Sequence, residues 1–147
     1  MSYEFILKNL PYKQPFLFVD EISFANENSI EGSYIFREDE FFYTGHFADQ
    51  PITPGVILTE CMAQIGLTAF GIYLLHLQNI DVSFSTDKLP LFTSANIQFY
   101  KKVLPGQKVF VTGKKIVFRH GKLRSSVCMK DDANNLICDG ELSGMFQ

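Results

Sequence analysis

Between Thr53 and Asn79 the chain carries one long apolar run, TPGVILTECMAQIGLTAFGIYLLHLQN. Pro54 suits the first position of a helix and Thr53 the cap before it. The run predicts a helix to about Gln78, about 25 residues or roughly 37 Å at 1.5 Å per residue. Val56, Ile57, Leu58, Met62, Ile65, Leu67, Phe70, Ile72, Leu74, Leu75 and Leu77 occupy nearly every side of it. A helix that is apolar all round must be buried all round, so the rest of the chain has to enclose it.

The rest predicts strand. Segments 15–23 and 29–36 flank a turn at Asn26-Glu27-Asn28, and four more strands are expected at 91–100, 108–119, 123–130 and 136–146. Pro105-Gly106, His120-Gly121 and 131–135 are the corners between them. Tight turns join antiparallel neighbours. The expectation is an α+β fold, a curved antiparallel sheet wrapped around one long central helix. At 147 residues, positions 1–147 are expected to form a single domain.

Composition narrows the function. With 13 basic and 16 acidic side chains the net charge is −3, which excludes a nucleic-acid-coating protein. Hydrophobic residues at 46% and charged residues at 20% exclude disorder. Phe contributes 15 residues and Trp none, an excess of bulky apolar surface to hide against a partner or an oily ligand. The three cysteines show no CxxC spacing, so neither a disulfide framework nor a zinc knuckle is expected. GxGxxG, P-loop, GxSxG and HExxH motifs are absent. The start, MSYEFILKNLPYKQP, lacks the apolar core of a secretory signal. The most apolar part of the helix, 65–77, is too short for a bilayer of about 30 Å. A reduced, cytoplasmic protein with no membrane partner is expected.

The chemistry is concentrated just before and within the helix. Residues 45–55 read GHFADQPITPG, where Pro51, Pro54 and Gly55 set an irregular path into the helix N-terminus. That end offers unpaired N–H groups and partial positive charge, which stabilise a carbonyl oxygen gaining negative charge. His46 lies on the approach, and Glu60 lies inside the helix with Gln64 at i+4 on the same face. A histidine, a carboxyl group and a helix N-terminus are the parts needed for proton abstraction next to a carbonyl. Apolar surroundings would raise the carboxyl pKa and make Glu60 an acid. The same residues also admit structural readings. His46 can be a loop residue, Glu60 an exposed edge position, Gln64 a cap on a buried polar group and Gly55 a turn former.

The text GHFADQPITPGVILTECMAQIG resembles the central motif GHFPxxPxxPGVLxxExxAQ of the FabZ-type 3-hydroxyacyl-(acyl-carrier-protein) dehydratases. LPYKQPFLFVDEI upstream is similar to their LPHRYPFLLVD segment, and VLPGQKV and GELSGMF resemble later strands. The resemblance implies the hotdog fold and a hydro-lyase of fatty-acid, polyene or polyketide synthesis, with His46 and Glu60 as the catalytic pair. It implies that the Gly55 N–H holds the thioester carbonyl and that Gln64 supports the acid. Phe47 and Val56, beside His46 and Gly55, are expected to contact substrate. No metal or redox cofactor is implied, because a thioester itself acidifies C2. The implied partners are an acyl carrier protein and a second copy of the chain, since the family's His and Glu come from different subunits of a dimer. A hexamer of three dimers is the larger form. A hotdog thioesterase and a non-catalytic acyl-binding subunit are the alternatives.

Two departures stand out: Ala48-Asp49 where the family has Pro-Gly, and Tyr12-Lys13 where it has His-Arg. Neither is expected to touch the catalytic pair. Cys61, Cys128 and Cys138 read as small buried hydrophobes, His76 as a cation near the helix C-terminus and His120 as a turn residue. Lys101 and Lys102 read as a solvated strand end, or as a contact for an acidic carrier.

Overall fold

In the computed structural model, which describes residues 2–82, 84 and 89–146, the chain opens with a short helix, α1 (Glu4–Asn9). The strand expected over 15–23 is displaced: β1 is Glu21–Ala25. The cause is a competing partner. The Phe18 N–H donates to the side-chain oxygen of Gln64 at 2.7 Å, and the Phe16 carbonyl accepts from the Gln64 amide at 3.0 Å. These backbone groups are bound to the helix and cannot join a strand ladder.

After β2 (Ser29–Ile35) and a 3₁₀ turn (Phe41–Thr44) comes the central helix. It runs as α2 (Gly55–Ala63), a π-helical segment (Gln64–Ala69) and α3 (Phe70–Leu77). Four strands follow: β3 (Pro90–Phe99), β4 (Lys108–Arg119), β5 (Lys122–Asp131) and β6 (Leu136–Phe146). All neighbours are antiparallel, in the order β1-β2-β4-β5-β6-β3. The β4–β5 hairpin turns on His120 (φ 53°) and Gly121 (φ 74°), the paired left-handed residues of a two-residue turn that matches strand twist. At the β5–β6 corner one Asp131 carboxylate oxygen accepts the N–H groups of Ala133 and Asn135, an Asx-type turn.

The sheet encloses the helix, whose π segment packs on β2, β4, β5 and β6. Glycines permit the closest approach. A Cβ on Gly66 would lie 2.6 Å from a Val127 methyl, and one on Gly113 would lie 3.0 Å from the Gly66 Cα. By length and composition Gly55–Leu77 is apolar enough to cross a membrane, but 78% of its most apolar window is buried inside the protein. Burial, and not shortness, makes it a core helix.

The enclosure is incomplete at one place. Every residue from position 61 to 74 is buried, yet Val56 is 76% exposed. On the same side β3 is exposed along most of its length, with Leu91, Phe92 and Phe99 open to solvent. Among the described residues β3 pairs only with β6, so its second edge is free.

Candidate active site

The loop into the central helix is bonded mainly to itself. The His46 N–H donates to the Phe42 carbonyl at 3.0 Å, and the Ile52 N–H donates to the His46 carbonyl at 2.9 Å. Phe47 and Gln50 exchange backbone bonds at 3.2 and 3.0 Å, and the His46–Phe47 peptide is cis. The imidazole stacks on the Phe47 ring at 4.1 Å, and its Nδ1 lies 2.8 Å from the Ile52 carbonyl oxygen. A carbonyl can only accept, so Nδ1 carries a proton, and the tautomer this bond selects for a neutral ring has its lone pair on Nε2. This bond orients the ring to act as a base through Nε2.

Thr53 does not cap the helix as expected. Its hydroxyl pairs with that of Tyr43 at 2.6 Å, and the cap position is Pro54. The Pro54 carbonyl accepts from Ile57 and Leu58 at 2.9 and 3.1 Å. The N–H groups of Gly55 and Val56 have no backbone acceptor among the described residues. These orphan donors, at the positive end of the helix, suit a carbonyl oxygen that gains charge. Gly55 and Val56 border an apolar recess with Thr59, Phe92, Ala95, Ile97 and Phe99. The Phe99 ring would lie 3.2 Å from any Cβ at position 55, so glycine keeps the approach open.

Glu60 opens onto a neighbouring cavity of about 260 Å³, which shares Phe92 with that recess. Half-buried, its carboxyl is pushed above the ordinary 4.5 by burial, and the bond from Gln64 partly opposes the rise. Gln64 is fully buried and clamped. Because its oxygen takes the Phe18 N–H, its NH₂ group must face the Phe16 carbonyl and the Glu60 carboxyl, the latter at 2.9 Å. A carboxyl group whose pKa is raised by burial and which is aimed by an amide is suited to deliver a proton.

His46 borders neither cavity, and no hydrogen bond joins it to Glu60 within one chain among the described residues. Phe47 is 55% exposed beside it. Gly55, Val56, Glu60 and Gln64 thus lie together along the helix, while His46 and Phe47 stand apart on the loop. Tyr12 makes no hydrogen bond to either member of the pair among the described residues, but it comes nearer to Glu60 than its place in the sequence suggests. It lines the Glu60 cavity, its hydroxyl lies 2.6 Å from that of Thr68, and burial pushes its pKa to about 12, with the Glu60 charge adding to the rise. The only hint of this in the sequence is the departure itself, a large phenol in a segment placed to meet the helix.

Other sequence readings sort plainly. Cys61 and Cys138 are buried, and the Cys61 thiol donates to the Phe18 carbonyl; Cys128 is only half-buried. His76 does lie in the last helical turn, against the Phe5 ring at 4.5 Å. Lys101 is bound to Asp131 at 2.6 Å, and Lys102 is exposed.

Residues 10–142 match the FabA-like domain family. The chain belongs to that family. Its relatives include a 3-hydroxyacyl-(acyl-carrier-protein) dehydratase FabZ of Petrotoga mobilis, 38% identical over 74% of this chain and 72% of the relative. Another FabZ, from Psychrobacter arcticus, is 30% identical over 90% of this chain and 89% of the relative. Among solved structures, the dehydratase heterocomplex ApeI:P from Xenorhabdus doucetiae superposes on the FabA-like chain with a TM-score of 0.81. The identity is 12%, over 97% of this chain and 90% of that one. A hypothetical thioesterase with coenzyme A from Streptococcus pneumoniae gives 0.61 at 9% identity, over 86% and 84%. At such identities the solved structures establish the fold alone, and it is the hotdog fold.

Proposed function

We propose that this FabA-like protein is a 3-hydroxyacyl-(acyl-carrier-protein) dehydratase of fatty-acid biosynthesis, a hydro-lyase working as one domain over residues 1–147. The observation that carries the reading is Glu60, a carboxyl group raised by burial and clamped by Gln64 at the wall of an apolar cavity. It lies along the helix from two unpaired N–H groups. Family membership supplies the substrate class.

In this mechanism the thioester carbonyl accepts the Gly55 N–H, which stabilises the enolate oxygen. His46 Nε2 takes the C2 proton. The C2–H electron pair becomes the C2=C3 double bond, the C3–O bond breaks, and the hydroxyl leaves as water with the proton of Glu60. Phe47 and Val56 flank the thioester, and Gln64 holds the acid.

The site is completed by association. The separation of His46 from the Glu60 cavity within one chain, and the exposed apolar side around Val56 and β3, support a two-fold dimer. In it His46 of one subunit serves Glu60 of the other, and three dimers can close a hexamer. The carrier protein delivers the acyl group, with the exposed Lys102 available to its acidic surface. A cytoplasmic location is part of this proposal; family membership supports it, and the enclosed apolar helix is a core helix.

The test is turnover of carrier-bound 3-hydroxyacyl substrates by wild type, His46→Ala and Glu60→Gln, scoring both enoyl product and free carrier thiol. Enoyl product that disappears in both variants is expected. Wild-type rates in both would refute the catalytic pair. Thiol release without enoyl product would transfer the protein to the thioesterases, and binding without turnover would make it an acyl-binding subunit.

A further inference from the structure

Phe146 borders the cavity beside Glu60, and we propose that its ring closes the far end and sets the longest acyl chain the enzyme accepts. The proposal rests on the dehydratase reading, which brings the acyl thioester to Glu60. Along the central helix the cavity is bordered in turn by Glu60, Ala63 and Leu67. It therefore runs down the helix away from the carboxyl. One turn beyond Leu67 lies Gly71, which does not border the cavity. A Cβ built on Gly71 would sit 1.9 Å from the Phe146 Cζ and 2.3 Å from its Cε2. The ring rests on bare helix backbone, in space that any other residue at position 71 would fill.

Phe146 reaches that point from the last residue of β6, so its ring bridges sheet and helix. Its own N–H is tied to the Gly121 carbonyl at 2.8 Å, which fixes the strand end that carries it. Phe84 stacks on the ring at 6.3 Å and Phe118 meets it edge-on at 6.5 Å. A tail entering past Glu60 meets this aromatic wall. Leu91, Phe92 and Met145 make most of the wall apolar, and the two hydroxyls on it, of Tyr12 and Thr68, are paired with each other at 2.6 Å, so the wall suits a hydrocarbon tail. From Glu60 to Gly71 the helix advances at most about 16 Å at 1.5 Å per residue. The substrate class is a 3-hydroxyacyl thioester of medium length, whose tail ends within that reach.

The test uses full-length wild type, Phe146→Leu, Phe146→Ala, and Phe146→Ala combined with Gly71→Leu, which refills the space from the helix side. Each is titrated calorimetrically with unreactive pantetheine amides of saturated acids of graded length. Turnover of the matching 3-hydroxyacyl carrier substrates is measured alongside. Wild-type affinity should climb with length and then fall sharply. Phe146→Ala should move the fall to longer chains and gain about tenfold or more on the first chain that wild type rejects, the worth of one admitted methylene. Phe146→Leu should lie between, and the refilled pair should return towards wild type. Circular dichroism confirms folding, and Phe146→Leu, the gentler change, decides the matter if an alanine variant does not fold.

An unchanged length limit in folded Phe146→Leu overturns the proposal, as does a wild type with no limit. If the limit moves in binding while no form dehydrates any substrate, the dehydratase reading falls and Phe146 remains the end of an acyl pocket. If turnover is present and the limit does not move, Phe146 falls alone.

Discussion

Replacing Gln64 with Leu removes three hydrogen bonds while nearly conserving shape. The Phe18 N–H, the Phe16 carbonyl and the Glu60 carboxyl each lose a partner, at 2.7, 3.0 and 2.9 Å. They are not equally hurt. Phe16 is 42% exposed, so its carbonyl can turn to water, whereas Phe18 is wholly buried and its N–H is stranded. A stranded buried donor costs about 1–3 kcal/mol, and each of the other lost bonds adds about 1 kcal/mol or less once water replaces the partner. The expected loss is about 2–4 kcal/mol from a total of about 5–15 kcal/mol. With a urea m-value of about 2 kcal/mol/M, the denaturation midpoint should drop by about 1–2 M. A second signature separates this from ordinary core damage. Gln64 stabilises the charged form of Glu60, so its removal lifts the Glu60 pKa further. A general acid works protonated, so the alkaline limb of the rate profile that belongs to Glu60 should move to higher pH. Linkage has the same sign. The folded state holds this proton more tightly than the unfolded chain, so stability falls as pH rises from the ordinary 4.5 through the folded value. That fall should extend to higher pH in the variant. An unchanged midpoint together with an unchanged pH profile would refute the clamp.

Three more outcomes are expected. Inactive His46→Ala and inactive Glu60→Gln subunits, once exchanged, should regain activity at about one of the two sites in each mixed dimer, read as recovered turnover; no recovery after proven exchange defeats the shared site. Asp131 is held well below its ordinary 3.8 first by Lys101 and then by the Asn135 N–H, so its contribution is present above that value and lost as pH falls below it. Asp131→Asn should therefore flatten the acid side of a melting-temperature series. In Gly140→Ala, a Cβ would meet the Asn96 carbonyl oxygen of β3 at 2.0 Å with φ at 154°. Neither backbone can yield, and thermal melting should report a loss of at least about 2 kcal/mol.

Much of the fold is legible in the residues, because its signals are local. The apolar run marks the central helix to within a residue or two, and His120-Gly121 and Asp131 mark their turns by left-handed and Asx chemistry. The misses share a cause, a partner distant in sequence. Residues 16–18 look like strand until Gln64 takes their backbone groups, and Thr53 looks like a cap until Tyr43 takes its hydroxyl. The π segment has no apolar signature of its own, since every side of the helix is apolar there already. At the site, Glu60 and Gln64 were readable as an i,i+4 pair, whereas Tyr12 reaches the same cavity only through folding.

The Ile52 carbonyl that orients His46 is a main-chain group. No point mutation can delete it, because every residue type supplies the same oxygen. A carboxylate in that role would be one codon change from failure. Here the tautomer is encoded in the length and path of six residues of loop. The base should tolerate side-chain drift at positions 48–50, between Phe47, which stacks on the imidazole, and Pro51, which shapes the loop, yet respond sharply to a single insertion or deletion there. Over long divergence, the side chains at 48–50 are free to wander while the residue count of the loop is not.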